Sequence, residues 1–108
     1  MAADKEYMEY VMDLLSPIEG VWSRAMFGGY GIFHEDDMFA LIAYSRLYFK
    51  VNDSNRSRYE QMQCEQFMNM PYYEIPASIM DDMASLHECA RDSIAIAHAA
   101  PSKKKRKR

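Results

Sequence analysis

Three histidines and two cysteines are the residues of this chain best suited to catalysis or metal binding, and their spacing decides what chemistry is open to them. His34 and His87 are each followed by a glutamate, Glu35 and Glu88, and His98 closes the same stretch that holds His87. An imidazole beside a carboxylate can move a proton or hold a metal. Neighbours on a strand, however, point to opposite faces, and neighbours on a helix diverge by about 100°. His34-Glu35 lies in a strand-like stretch and His87-Glu88 in a helical one, so neither pair is expected to converge. Ser45, Ser78 and Ser93 have no nucleophile-elbow context, and no nucleophile, base and orienter come together in the sequence. Cys64 and Cys89 stand 25 residues apart with no CxxC, which predicts free thiols behaving as small hydrophobes. Asp36-Asp37 and Asp81-Asp82 suit a turn and a helix cap, and lack the alternating oxygens of a calcium loop. No catalytic residue, metal or cofactor is expected.

A glycine cluster is the other candidate. Met26 to Phe33 read MFGGYGIF and hold three of the four glycines in the chain. A phosphate loop needs glycines that aim backbone N–H groups at an anion and lead into a helix N-terminus. The spacing here is GGxG, there is no GK[ST], and Ile32-Phe33 continue as a strand. The window therefore predicts a structural bend, with Gly28-Gly29 at a bulge or sharp turn and Gly31 giving room for Tyr30 or Phe33 to pack.

The elements that must carry these residues follow from length and pattern. A chain of 108 residues builds one domain around one modest core. No apolar run approaches a membrane span and the acidic start has no apolar signal segment, so a cytoplasmic protein without membrane contact is expected. Tyr7, Met8, Val11, Leu14 and Leu15 recur at helical spacing, closed by Pro17 and Gly20. Strands are predicted at Ser23–Glu35, Met38–Tyr44 and Leu47–Val51, with tight connections at Asp36-Asp37 and Ser45-Arg46. A second helix is expected over Ser54–Met62, then a short edge hairpin at Phe67–Met68 and Tyr72–Ile75. The last helix runs over Asp81–His98 with Met83, Leu86, Ala90, Ile94 and Ala97 on its buried side, capped by Asp81 or Asp82. The order α-β-β-β-α-β-β-α describes a two-layer α+β fold with one antiparallel sheet, helices covering mainly one face. Residues 1–100 form the domain and residues 101–108 a disordered basic tail.

Charge is divided along the chain. Residues 1–102 hold seven Lys/Arg against sixteen Asp/Glu, whereas Lys103, Lys104, Lys105, Arg106, Lys107 and Arg108 are six cations in succession. An acidic body repels phosphate, so nucleic-acid contact would run through the tail. Such a tail reads charge and not base sequence; the competing reading folds it back on the acidic body. Arg46, Tyr48 and Lys50 share one face of a strand. With Tyr72 they make either a solvated face or a basic-aromatic surface for a partner protein or an RNA strand. Tyr72-Tyr73, beside an edge strand, would also serve a homodimer.

MFGGYGIF, then MFALIAY, then RLYFKVND with Arg56 close behind, then YYEIP and a final helix, together resemble the N-terminal domain of the TfoX/Sxy competence regulators from about residue 8 to residue 97. The stretch Phe67–Pro71 is shorter than in typical members, and the tryptophan often found in the last helix is replaced near Cys89. The second domain of the full-length regulators is expected to be absent, with a basic tail in its place. The resemblance implies a fold similar to the secretion-chaperone class, a link to transcriptional control of DNA uptake in bacteria, and no catalytic residue. The leading expectation is a non-enzymatic regulatory module that contacts a transcription factor or a second copy of itself, its tail adding weak non-specific nucleic-acid affinity. The alternative is a small-ligand binder or an enzyme, using an aromatic pocket near Tyr30, Phe33 and Phe49.

Overall fold

The computed structural model describes residues 2–26 and 28–99. Helix α1 (Ala2–Leu15) leads into strands β1 (Val21–Met26), β2 (Gly29–His34), β3 (Asp37–Ala43) and β4 (Arg46–Lys50). Helix α2 (Arg56–Gln61), strand β5 (Tyr72–Glu74), the short α3 (Ala77–Met80) and the long α4 (Met83–Ala99) follow. The strands form one antiparallel sheet in chain order, β1-β2-β3-β4-β5. The α+β class and single antiparallel sheet expected from the sequence are both present.

The predicted first strand is in fact two. The chain reverses at Gly28, whose φ of +79° is a left-handed conformation that glycine adopts without a Cβ clash. Gly29 then opens β2 hard against β3: a Cβ there would stand 2.1 Å from the Ile42 carbonyl oxygen. Apolar and aromatic residues run unbroken through this reversal, so composition alone merges the two strands. The next two turns sit one residue earlier than predicted. Glu35 has φ +57° between β2 and β3, and Tyr44 and Ser45 have φ +56° and +58° between β3 and β4. Positive φ at both central positions is the type I′ pattern of two-residue hairpins.

One sheet face carries the main core. Ile32, Ala40, Ile42, Leu47 and Phe49 from the strands meet Val11 and Leu15 of α1 and Leu86, Ala90, Ile94 and Ala97 of α4. Burying each large apolar side chain contributes about 1.5–3 kcal/mol, and the helical spacing of these residues is what lets both helices lie flat on the sheet. Met83, expected on the same buried stripe, is the first residue of α4 and is 48% exposed. Asp82 caps α4: its Oδ1 accepts from the Ser85 N–H at 3.4 Å and its Oδ2 from the Ser85 hydroxyl at 3.0 Å. Two further contacts fix the helices: His87 Nε2 meets the Leu14 carbonyl at 2.8 Å, and the buried Ser93 hydroxyl donates to the Lys50 carbonyl at 2.8 Å.

The opposite face is covered over part of its area by the segment after α2. Phe67 packs on Leu41, Ala43, Tyr48 and Tyr72 in a second cluster. The hairpin predicted there reduces to β5 and a single bridge between Gln66 and Tyr73. The Phe67 N–H donates to the Tyr72 carbonyl and the Glu74 N–H to the Glu65 carbonyl, both at 2.8 Å. Pro71 and Pro76 flank β5 and keep it three residues long.

Candidate functional site

The end of the sheet nearest the last turn of α4 gathers the polar residues with most chemical potential. His34 ends β2, Asp37 begins β3 directly opposite it in register, and His98 reaches them from α4. Asp37 Oδ2 lies 2.6 Å from His98 Nδ1, and His98 Nε2 lies 2.8 Å from His34 Nδ1. The two rings meet edge-on, with centroids 5.0 Å apart. With the carboxylate as acceptor, His98 Nδ1 is the donor of that bond, and in the neutral ring this tautomer puts the lone pair on Nε2, which faces His34. All three side chains are partly buried.

Glu35 joins the same cluster, against the sequence expectation that His34 and Glu35 diverge. Alternation holds only while the backbone is extended, and Glu35 lies past the end of β2 with φ +57°. The turn swings its carboxylate back, so that one atom each from His34, Glu35 and His98 lie within 4.8 Å of one another. These three could hold a metal ion. A nucleophilic set would need a hydroxyl or thiol in the chain of hydrogen bonds; here it links two imidazoles and a carboxylate. The Glu35 carbonyl accepts the indole N–H of Trp22 at 2.8 Å, which ties β1 to the same corner.

The second face of the sheet places the predicted partner surface. Tyr48 and Tyr72 are only 5% and 4% exposed, so their rings are packing groups under Phe67 and are unavailable to a partner. Lys50 Nζ sits 5.6 Å from the Tyr72 ring centroid, and Arg46 pairs with Glu65 and Glu74 at 3.6 Å each. Burial follows from Phe67 folding back, a contact between distant residues that strand alternation does not reveal. Farther along this face, toward β1, the surface is more open. Trp22 is 41% exposed and stacks on Phe33 at 4.6 Å, with the Arg24 guanidinium 5.1 Å from the same ring. Sequence reading passed over Trp22. The signal lay in its register with Phe33 across the β1–β2 hairpin, invisible while the two were assigned to one strand.

The aromatic pocket expected near Tyr30, Phe33 and Phe49 does not form: Phe49 and Tyr30 belong to the helix-side core, and Phe33 stacks on Trp22 outside it. A separate cleft of about 540 Å³ lies between α2 and α4, lined by Ser54, Asn55, Ser57, Arg58 and Asp92 among others. Its one cation is already engaged. Arg58 lies 3.2 Å from Asp92 and donates to Cys89 Sγ at 3.0 Å. Cys64 and Cys89 are free thiols, and burial pushes the Cys64 thiol up, away from the reactive thiolate. Gly31 opens room on the second face, where a Cβ would meet Met26 Sδ at 2.4 Å and Met38 Sδ at 2.8 Å. The predicted basic tail, Lys103 to Arg108, lies outside the described residues.

Fold and clusters together describe a small α+β domain, a five-stranded meander backed by two helices. Residues 13–97 match the profile of the TfoX N-terminal domain, and the chain belongs to that family. It is also similar to the DNA transformation protein TfoX1 of Aliivibrio fischeri, 37% identical over 65 residues, which are 60% of this chain and 31% of that protein. The chain thus matches less than a third of that relative's length. Among the described residues, no helix is long and apolar enough to cross a membrane.

Proposed function

We propose that this chain is a non-enzymatic regulatory module of DNA transformation, working in the bacterial cytoplasm by binding another protein along the outer edge of β1. The observation that carries this reading is the difference between the two sheet edges. The outer side of β5 is closed by hydrogen bonds to Glu65 and Phe67. Among the described residues, nothing pairs with the outer side of β1. An edge with free N–H and C=O groups accepts a strand from another chain, and side chains beside it supply specificity. Trp22 and Arg24 stand beside this edge, and aromatic and arginine residues are the usual anchors of protein interfaces. The partner favoured is a transcription factor acting on DNA-uptake genes, which the likeness to a DNA transformation protein supports. Residues 103–108 add weak, non-specific affinity for nucleic acid, their six charges following a predominantly acidic sequence.

The test is complementation of a naturally transformable bacterium lacking its own TfoX protein, read as DNA-uptake transcripts and transformation frequency. The wild-type chain is expected to raise both. Ala25→Lys, which puts a charge on the exposed edge strand, blocks pairing and abolishes the effect without lowering the melting temperature. A chain stopped at Pro101 keeps partner binding and loses duplex DNA binding, whose log–log salt slope is about −4 to −5 for six cations. Unchanged transformation with the wild-type chain sinks the regulatory reading; full activity of Ala25→Lys sinks the edge.

A further inference from the structure

The geometry points to a binding site for one divalent first-row transition ion, formed by His34, Glu35 and His98 and oriented by Asp37. Three donors reach one point from the end of β2, the turn after it and the last turn of α4, His34 and His98 being 64 positions apart in the chain. Such convergence joins the β2–β3 corner to the last turn of α4, unlike a run of surface acids.

The arrangement around His98 is that of a metal-ligating histidine. Its Nδ1–H is held by the Asp37 carboxylate at 2.6 Å, and a carboxylate on the far nitrogen fixes the tautomer and raises the basicity of the near one. The near nitrogen, Nε2, faces His34 Nδ1 at 2.8 Å. Only one proton fits between them. An ion takes the place of that proton, which passes to His34 Nε2, and the nitrogens open to about 3.3 Å, the separation of two tetrahedral ligands with bonds of about 2.0–2.1 Å. Glu35, exposed at the rim, closes over the ion as third ligand, and water fills the fourth position.

Two imidazole nitrogens and one carboxylate oxygen suit zinc, cobalt, nickel, copper or ferrous iron; calcium and magnesium take shells of oxygen. With both rings neutral, Asp37 and Glu35 leave the cluster two negative charges, matching a divalent cation. The bound ion would pin the carboxyl end of α4 to the β2–β3 corner.

The probe is Zn²⁺ titrated into the full chain by calorimetry. Co²⁺ absorption reports coordination geometry, and Cu²⁺ quenching is read from Trp22, the one tryptophan of the chain, whose indole bonds the Glu35 carbonyl. One Zn²⁺ per chain is expected, with a raised melting temperature. His98→Gln and Glu35→Gln weaken binding by about tenfold or more, and Asp37→Asn by about 10–100-fold while the far-ultraviolet circular dichroism stays native. His87→Gln, remote from the cluster, keeps wild-type affinity. Glu35 lies on the surface, so its variant separates lost binding from lost folding. Absence of Zn²⁺ uptake by the wild-type chain, or wild-type affinity in Glu35→Gln and His98→Gln, overturns the site and leaves the cluster a hydrogen-bonded strut.

Discussion

Asp4 and Ser45 lie 41 positions apart, and the buried carboxylate of the first holds the turn that contains the second: Asp4 Oδ1 accepts from the Ser45 N–H at 2.7 Å and from its hydroxyl at 3.0 Å. The turn puts two residues that are not glycine, Tyr44 and Ser45, in the left-handed region, where most residues are strained by about 1–2 kcal/mol. The carboxylate offsets that strain from helix α1. Asp4→Ala is expected to cost about 2–3 kcal/mol, through loss of two charge-assisted bonds and a stranded N–H. Tyr44 is 79% exposed, and Tyr44→Asn, better suited to positive φ, is expected to gain up to about 1 kcal/mol. Urea midpoints of the two variants should move in opposite directions.

The three clustered glycines should respond to alanine in a graded order. Gly29→Ala drives a Cβ to 2.1 Å from a backbone oxygen in β3, which only separation of the strands relieves; loss of cooperative folding is expected. Gly31→Ala meets the sulfurs of Met26 and Met38, flexible side chains that can turn aside, so a cost of about 1–3 kcal/mol is expected. Gly28→Ala enters open space and costs only the strain of its positive φ, about 1 kcal/mol. Thermal melts of the three variants check this ranking.

Alkaline pH should unfold the protein through its buried tyrosines. Burial holds the Tyr72 phenol up to about 12, against about 10 in an unfolded chain. The folded state then keeps a proton that the unfolded chain releases. Stability is untouched below about pH 10 and falls as pH rises from about 10 through 12, by about 2–3 kcal/mol from this group. Burial pushes Tyr59 up as well, in the same direction. Tyr72→Phe should unfold much like wild type at about pH 8 and show a shallower alkaline decline, measured as urea midpoints across that range.

Helices α1 and α4 and the antiparallel meander were legible because periodicity reports local burial. Val11 and Leu15 in α1, and Leu86, Ala90, Ile94 and Ala97 in α4, are core residues at the predicted spacing. What escaped depends on φ angles and on contacts distant in sequence. The reversal at Gly28 interrupts no hydrophobic pattern, so one strand was read where two exist. The His34, Glu35 and Asp37 corner was readable only with Glu35 placed in a left-handed turn, and His98 completes it from 64 positions along the chain. Tyr48 and Lys50 do share a face, yet Phe67, folding back from beyond α2, converts the tyrosine from surface to core.

Because every strand pairs with the one made just before it, the sheet can zip up from its own amino-terminal side as the chain leaves the ribosome. Local pairings of this kind lower the entropic barrier to folding. The bill arrives later. Until α4 has emerged, Ala40, Ile42 and Phe49 lack the cover of Leu86, Ala90 and Ile94 and leave an apolar surface that invites association with other nascent chains. The seventeen residues of α4 are thus the last cover this face receives, and a destabilised α4 should betray itself in cells as aggregation before any loss of the strands.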